Sequence, residues 1–449
     1  MGLSERLARY AATRPRPLVV PVPGGTRTRL MAEAELRRRG WTPADMPMAA
    51  GLLIVCGDPG TALAEAVEAV WADLPGPRIR VRLAARTSED AVRAAMDQAV
   101  TGLADLTAQR DDAASRIAAG PWQPGGDSGD GGDGGDGSDD GHSDHDEHDG
   151  HDEHGSHDEQ GGHDEHGSHG RHGEHAHGGG HEHHMMGAPA GLAMADRAPD
   201  RDGLKLDVLH VPLGPVLPDW PAGLQVRVTL QGDVVQAAEV EVMGGTGGAG
   251  FWDGPWLAAA AGEQVIRGDA ERRRAASHLD GLARFLGVAG WRDQAERARR
   301  LRDDVLAGLP EGEIVPGFAR FARRTARSRT LRWMMRGVGV IDAAAVERYG
   351  LTGPAARHPG DAAARLDGLL AEIGESLAGL GDRTALDGDE GPRGPVGRAP
   401  STALLAALPA LLEGTELSSA RLIVAGLDPD LEQIDPGRIG PGQSGTVHA

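Results

Sequence analysis

Gly51-Leu52-Leu53-Ile54-Val55-Cys56-Gly57-Asp58-Pro59-Gly60 reads as a strand that runs straight into a loop. Ala62 to Leu74 follows with helical spacing. Upstream, Leu18-Val19-Val20-Pro21-Val22-Pro23-Gly24-Gly25 reads as a short buried strand ending in a turn. Downstream, Arg78-Ile79-Arg80-Val81-Arg82-Leu83 alternates as a third strand, and Ser88 to Ser115 is mostly helix-forming. Strands alternating with helices predict a small α/β domain over residues 1–120, with a parallel, flavodoxin-like sheet.

Gly57-Asp58-Pro59-Gly60 lies just past a strand's C-terminal end, where such sheets bind ligands. No Gly-Lys-Ser/Thr follows it, and it is not a Gly-x-Gly-x-x-Gly fingerprint, so a tight strand–helix turn is the better reading. Cys56 is the single cysteine and closes an apolar run with no cationic neighbour, which predicts a small core residue. One thiol excludes an intramolecular disulfide and a cysteine-ligated cluster within the chain.

Past this domain the composition changes. Residues 121–196 read as a disordered His/Asp/Gly-rich linker, because such composition cannot bury an apolar core. The stretch holds 15 of the 19 histidines, namely His142, His145, His148, His151, His154, His157, His163, His166, His169, His172, His175, His177, His181, His183 and His184. Interleaved with carboxylates, these are the candidate ligands for Zn²⁺ or Ni²⁺, with no fixed spacing to select one metal. Between Gly125 and His184, 18 acidic residues stand against one arginine. That net of −17 accounts for most of the chain's −21, so the flanks are close to neutral and carry no overall field for nucleic acid. The N-terminus lacks the apolar core of a signal peptide, and no run of about 18 apolar residues occurs. A cytoplasmic protein is expected, able to lie peripherally on the inner face of the membrane through partners.

From Leu209 order resumes. Leu224 to Leu230, the turn at Gly232-Asp233, and Val234 to Val242 form a β-hairpin pattern. Arg272–Gly287, Trp291–Leu306, Pro359–Leu380 and Thr402–Glu413 have helical spacing, which makes residues 197–440 a mainly α domain with a small β element and leaves 441–449 as a tail.

Several separate segments here resemble one family, in collinear order. They are Leu213-Gly214-Pro215 with Pro221-Ala222-Gly223, Gly232-Asp233-Val234-Val235, Ser277-His278-Leu279, and Gly337-Val338-Gly339-Val340-Ile341 followed by Tyr349-Gly350-Leu351-Thr352-Gly353-Pro354. Pro392-Arg393-Gly394, Arg398-Ala399-Pro400-Ser401, and Ile423 to Asp428 with Asp435 complete the series. Together they resemble the D-type component of NADH-quinone oxidoreductase, respiratory complex I, a relative of the hydrogenase large chain. Leu52 to Gly57, Ala66 to Trp71 and Leu74-Pro75-Gly76-Pro77-Arg78 are more weakly similar to the B-type component of the same enzyme. The resemblance implies a fusion of two components that meet, in that family, around a quinone site.

The departures shape the functional expectation. The B-type component ligates its terminal [4Fe–4S] cluster with four cysteines, and only Cys56 stands here. The family's His-Pro-Ala-Thr-His-Gly loop is Leu217-Pro218-Asp219-Trp220-Pro221-Ala222-Gly223, without the quinone-facing histidine. Its tyrosine partner has no counterpart in the helical body. Pro395 replaces the glutamate of Pro-Arg-Gly-Glu, and the Cys-x-x-Cys pairs of the related nickel–iron hydrogenase large chain are absent. The expectation is a redox-silent accessory, assembly or remodelled component of a respiratory or hydrogenase-like complex, with protein partners and no iron–sulfur cluster or other tightly bound cofactor. No catalytic or cofactor-binding residue is assigned. Two alternatives are a Ni/Zn-handling protein that uses the linker, and an active quinone-site component whose partner supplies the cluster.

Outside the linker, His210 and His278 read as isolated structural residues, and His358, beside Arg357 and before Pro359, reads as a surface residue at a helix start. Trp252 and Trp256 read as a local aromatic core. The run Arg320 to Arg336, dense in arginine and free of acid, is the best candidate surface for an acidic partner. For the linker the expected outcome is weak, multi-site Zn²⁺ or Ni²⁺ binding that is lost below about pH 6, because imidazole must be neutral to ligate. Calorimetry on the full chain and on a deletion of 142–184 checks this. A single tight site that survives the deletion would place the metal elsewhere.

Overall fold

The computed structural model describes residues 6, 10–119, 197–199, 205–245 and 250–434. The described residues belong to one compact unit. The whole of the expected linker, with all of its candidate metal ligands, lies outside the described residues.

In the N-terminal half, β1 (Pro17–Pro21), β2 (Leu52–Cys56) and β3 (Ile79–Leu83) form a parallel sheet in that order. Every side chain of β2 is buried, and successive residues face opposite cores. Leu53 and Val55 pack with Leu63 and Val67 of α2 (Thr61–Asp73). Leu52, Ile54 and Cys56 pack with Ala32 and Leu36 of α1 (Thr26–Arg39) and Val92, Met96 and Ala99 of α3 (Glu89–Ala104). The period-2 alternation thus distributes helices to both faces, as a parallel sheet requires. A further helix, α4 (Leu106–Ala119), follows α3.

Helix α1 is the element that the pattern does not announce. Its charged residues mask a short apolar stripe. Its usable signals are the Arg37-Arg38-Arg39 last turn and Gly40 in the left-handed region (φ 67°), which together mark a helix end.

The C-terminal half opens with β4 (Arg197–Pro199), β5 (Lys205–Leu213), β6 (Leu224–Gln231) and β7 (Val234–Val242), an antiparallel sheet in chain order. The β6–β7 hairpin turns at Gly232, as expected. Order resumes earlier than expected, since β5 begins at Lys205. Helices α5 (Gly254–Ala260), α6 (Arg267–Val288), α7 (Arg292–Leu306), α8 (Glu311–Ala326), α9 (Arg329–Met335), α10 (Ala343–Tyr349), α11 (Gly353–Arg357) and α12 (Ala362–Ala378) follow. A two-residue ladder, β8 (Glu390–Gly391) with β9 (Gly394–Pro395), precedes α13 (Ser401–Leu412) and α14 (Leu417–Leu427). The last two helices cover the inner face of β6, where Leu224, Val226, Val228 and Leu230 point.

Helix α6 organises this half, packing along α7, α12 and α14. Its spacing reads as amphipathic, yet every residue from Ala275 to Ala283 is buried. A helix enclosed on all sides must satisfy its polar groups internally, and Ser277, His278 and Asp280 fall within that buried run. No helix of the described residues is long and apolar enough to cross a membrane.

The two halves share cores. Leu30 of α1 sits among Leu279, Leu282 and Phe285 of α6, and Met243 and Val216 close one face of the parallel sheet. The Gly60 amide donates to the Gly244 carbonyl at 3.0 Å, and Pro59 bridges Gly245. Gly57-Asp58-Pro59-Gly60 is therefore a turn that also joins the halves. Separately released fragments, the simple consequence of a long linker, do not fit this interface. Cleavage between 124 and 196 should give two pieces on a denaturing gel that still co-elute in gel filtration. Elution as separate folded fragments would contradict the shared core.

Candidate functional site: the cleft between the halves

A cleft of about 1020 Å³ lies between the halves, lined among others by Arg29 and Glu33 of α1, the loop Leu217–Ala222, Asp280 and Arg284 of α6, and Leu431–Glu432. Its wall is a buried charge lattice. Arg29 grips Asp280 with both nitrogens, at 3.1 and 2.8 Å, and Glu33 at 2.8 Å. Asp280 also receives Arg284 at 2.6 Å and Arg302 at 2.5 Å. Arg302, fully buried, reaches Glu33 at 2.9 Å and Asp303 at 2.9 Å. Burial alone would raise the Glu33 carboxyl, but Arg29 and Arg302 outweigh it and hold it down at about 2. Burial likewise opposes ionisation of Asp280, and Arg29, Arg284 and Arg302 together drive it well below the usual carboxylate range.

The lattice continues through Asp428, which pairs with Arg284 and with Arg393. Arg393 also donates to the Asp428 carbonyl at 2.8 Å and to Ser277 Oγ at 3.0 Å. Gly281 makes this approach possible, because a Cβ there would collide with the Asp428 carboxylate. At Gly353 (φ 62°) a Cβ would strike the Arg393 carbonyl. Four segments of the resemblance, around Ser277, Gly353, Arg393 and Asp428, thus converge in space.

In the loop Leu217–Gly223, Asp219 takes a positive φ of 57° and pairs with Arg299. Burial raises its carboxyl, against the pull of Arg299. Trp220 is buried and donates to the Leu224 carbonyl at 2.8 Å. The loop is held by packing and an ion pair.

Below it, Glu432 accepts from the Gly24 and Thr26 amides at 2.9 and 3.1 Å, and from the Phe251 amide at 2.8 Å. A carboxylate of the C-terminal half thus caps the N-terminus of α1, where free amides and the helix dipole favour negative charge. Beside it Asp430 is buried with one carboxyl oxygen unpartnered, and so is Asp253. Burial, reinforced by Glu432 and Asp253, pushes the Asp430 carboxyl up to about 8. Asp430 is one of the residues that line the cleft.

His278 and His358 meet on one carboxylate. His278 is fully buried, its Nε2 3.2 Å from Glu372 but off the hydrogen-bonding direction and its Nδ1 unpartnered. Burial lowers its basicity. His358 Nε2 lies 2.8 Å from the same Glu372, which Arg357 also grips at 2.9 and 3.0 Å. His358 sits at the C-terminal end of α11, not at a helix start as its place before Pro359 suggests. His210 is exposed, its ring opposite Thr229 at 3.2 Å. Trp252 and Trp256 are buried, with Phe251 edge-on to Trp252 at 4.9 Å, a local core as expected.

Cys56 is fully buried in β2, and burial drives its thiol far above the ordinary range. It has the surroundings of a packing residue. Among the described residues no group of three or more His, Cys, Asp or Glu is arranged to hold a metal ion. The cleft residues Arg29, Glu33, Asp280 and Arg302 are not legible in the sequence, because their partners lie up to 269 residues apart, as Glu33 does from Arg302.

No family model matches the chain, and no curated protein matches it at a significant level. Among solved structures, one described as the membrane-bound sulfane sulfur reductase, an archaeal respiratory membrane complex, aligns over 50% of this chain and 98% of its own at 16% identity and a TM-score of 0.38. The reading that follows rests on the residues.

Removing Asp280 strands three guanidiniums in the interior. Asp280→Ala should cost about 3–5 kcal/mol in urea denaturation. The carboxyls of Glu33 and Asp280 are depressed on folding, so their stabilisation is present above about pH 4.5 and is lost as pH falls toward 2. Asp430 has the opposite sign. Its raised value makes stability fall between about pH 4 and 8, as the unfolded carboxyl ionises and the folded one does not. Asp430→Asn should remove that decline and stabilise the fold at pH 8 by about 1 kcal/mol or more. An unchanged pH profile would place the proton elsewhere.

Proposed function

We propose that the chain is a redox-silent accessory, assembly or remodelled component of a respiratory or hydrogenase-like complex, built from B-like and D-like halves. The observation that carries this reading is the convergence of the resemblance segments. Ser277, Gly353, Arg393 and Asp428, spread over about 150 residues, meet in one buried lattice beside the cleft. Such a meeting supports a retained scaffold. The donor set supports the loss of electron transfer, since one buried thiol cannot ligate a four-iron cube. At the cleft mouth an Asp219–Arg299 pair stands in the loop where the resemblance implies histidine. The chain then acts through protein partners, with the halves clamped as one body. Fold analogy alone does not assign an activity, so the proposal is of a component and not of a catalyst.

Two measurements test it. In detergent-solubilised native membranes the tagged chain should co-migrate on native gels with proteins that mass spectrometry identifies as respiratory or hydrogenase-like. After iron–sulfur reconstitution the isolated chain should show no cluster absorbance or EPR signal. Migration as a free chain would refute the component reading, and a stoichiometric [4Fe–4S] signal would refute redox silence.

A further inference from the structure

The exposed surface holds a second charge arrangement, distinct from the cleft. On α8, Ile314, Phe318, Phe321 and Thr325 point inward, and Arg320, Arg323, Arg324 and Arg327 form a stripe on the exposed side. Helix α9 continues it with Arg329 and, just past its end, Arg336. Arg332 fixes α9 in place by donating to the Ala326 carbonyl at 2.6 Å and pairing with Asp367 at 2.6 Å. Arg320, Arg323, Arg327, Arg329 and Arg336 have no carboxylate partner among the described residues. In the cleft wall, by contrast, Arg29, Arg284, Arg299 and Arg393 each pair with a carboxylate.

Beside these free guanidiniums stand three large apolar side chains that folding leaves in water. Trp333 is 75% exposed, Val340 54% and Met334 37%, all within eight residues of chain. In the chain Arg329 and Arg336 flank Trp333 and Met334, and Val340 follows four residues on. There is one aromatic and no series of them on which bases could stack. Arginine pairs with phosphate in a bidentate fork, and tryptophan settles at the level of lipid headgroups.

We propose that the α8–α9 face docks directly on an anionic phospholipid surface, with the arginines on headgroup phosphates and Trp333 in the interface. Each basic residue near such a surface strengthens binding roughly fivefold, and the attraction decays within a Debye length. The contact is therefore peripheral, reversible and salt-sensitive. It requires no partner protein, and it stands or falls independently of membership in a complex.

The test is flotation of the full chain with vesicles of phosphatidylcholine alone or with about 30% phosphatidylglycerol at low salt. The chain should bind only the anionic vesicles and release as salt is raised. Arg323→Glu with Arg327→Glu, both exposed and unpaired, should weaken binding at least about tenfold. Trp333→Ala should retain part of the binding but lose the tryptophan quenching that brominated lipid produces in the parent chain. Circular dichroism confirms that each variant is folded. Equal binding to neutral vesicles, or indifference to the arginine reversals, would overturn the proposal. So would failure to float while the same arginines retain the chain on immobilised poly-glutamate, which would make the face a protein-docking surface.

Discussion

Asp280 is a single carboxylate, buried in the middle of a helix, on which three guanidiniums converge. A buried charge is tolerated only when its partners are complete, and that requirement propagates outward. Arg29 must arrive from the N-terminal half, which fixes how α1 lies against α6. Arg302 and Arg284 bring surplus positive charge, so Glu33, Asp303 and Asp428 must be at hand to receive it. Asp428 in turn holds Arg393, and Arg393 holds Ser277. The position of one half on the other is thus set by charge pairing as well as by the apolar contacts of Leu30 and Met243.

The cleft inherits its character from this arrangement. Its walls are strongly polar, yet the charges facing it are largely spent on each other. Two groups are left over: Asp430, whose carboxyl is pushed up by burial and by neighbouring carboxylates, and Arg421, whose Nε is buried without a partner among the described residues. Glu432, two residues on from Asp430, is instead occupied by three backbone amides that donate to it. Neighbours of the same chemical type are given opposite tasks by the donors around them.

Burial also separates two populations of arginine. Those of α1, α6 and α7 that enter the interior are matched to carboxylates, since an unmatched guanidinium there would be costly. Arg320, Arg323, Arg327, Arg329 and Arg336, along and just past α8 and α9, lie in water, where an unpaired charge costs little, and have no carboxylate partner among the described residues. Without the packing, both groups are only runs of arginine in a chain whose composition is rich in that residue.

Local pattern is enough for β2, for the strand–helix alternation around it, for the β6–β7 hairpin and for the helices near Arg272, Trp291, Pro359 and Thr402. Periodicity reports which side of an element avoids water, and that is a property of neighbouring residues. The collinear resemblance segments and the core role of Cys56 are legible for the same reason. Helix α1 is not, because its charges serve partners in the other half and conceal its apolar stripe. The meeting of His278 with His358 on Glu372, the capping of α1 by Glu432 and the convergence on Asp280 have no local signal at all. Each joins residues far apart in the chain, and an ion pair leaves no periodic trace in either of the segments that form it. The sequence by itself determined the elements and the faces they bury. Only the tertiary structure decided which buried charges answer one another, because that choice depends on distances that exist only after the halves have closed.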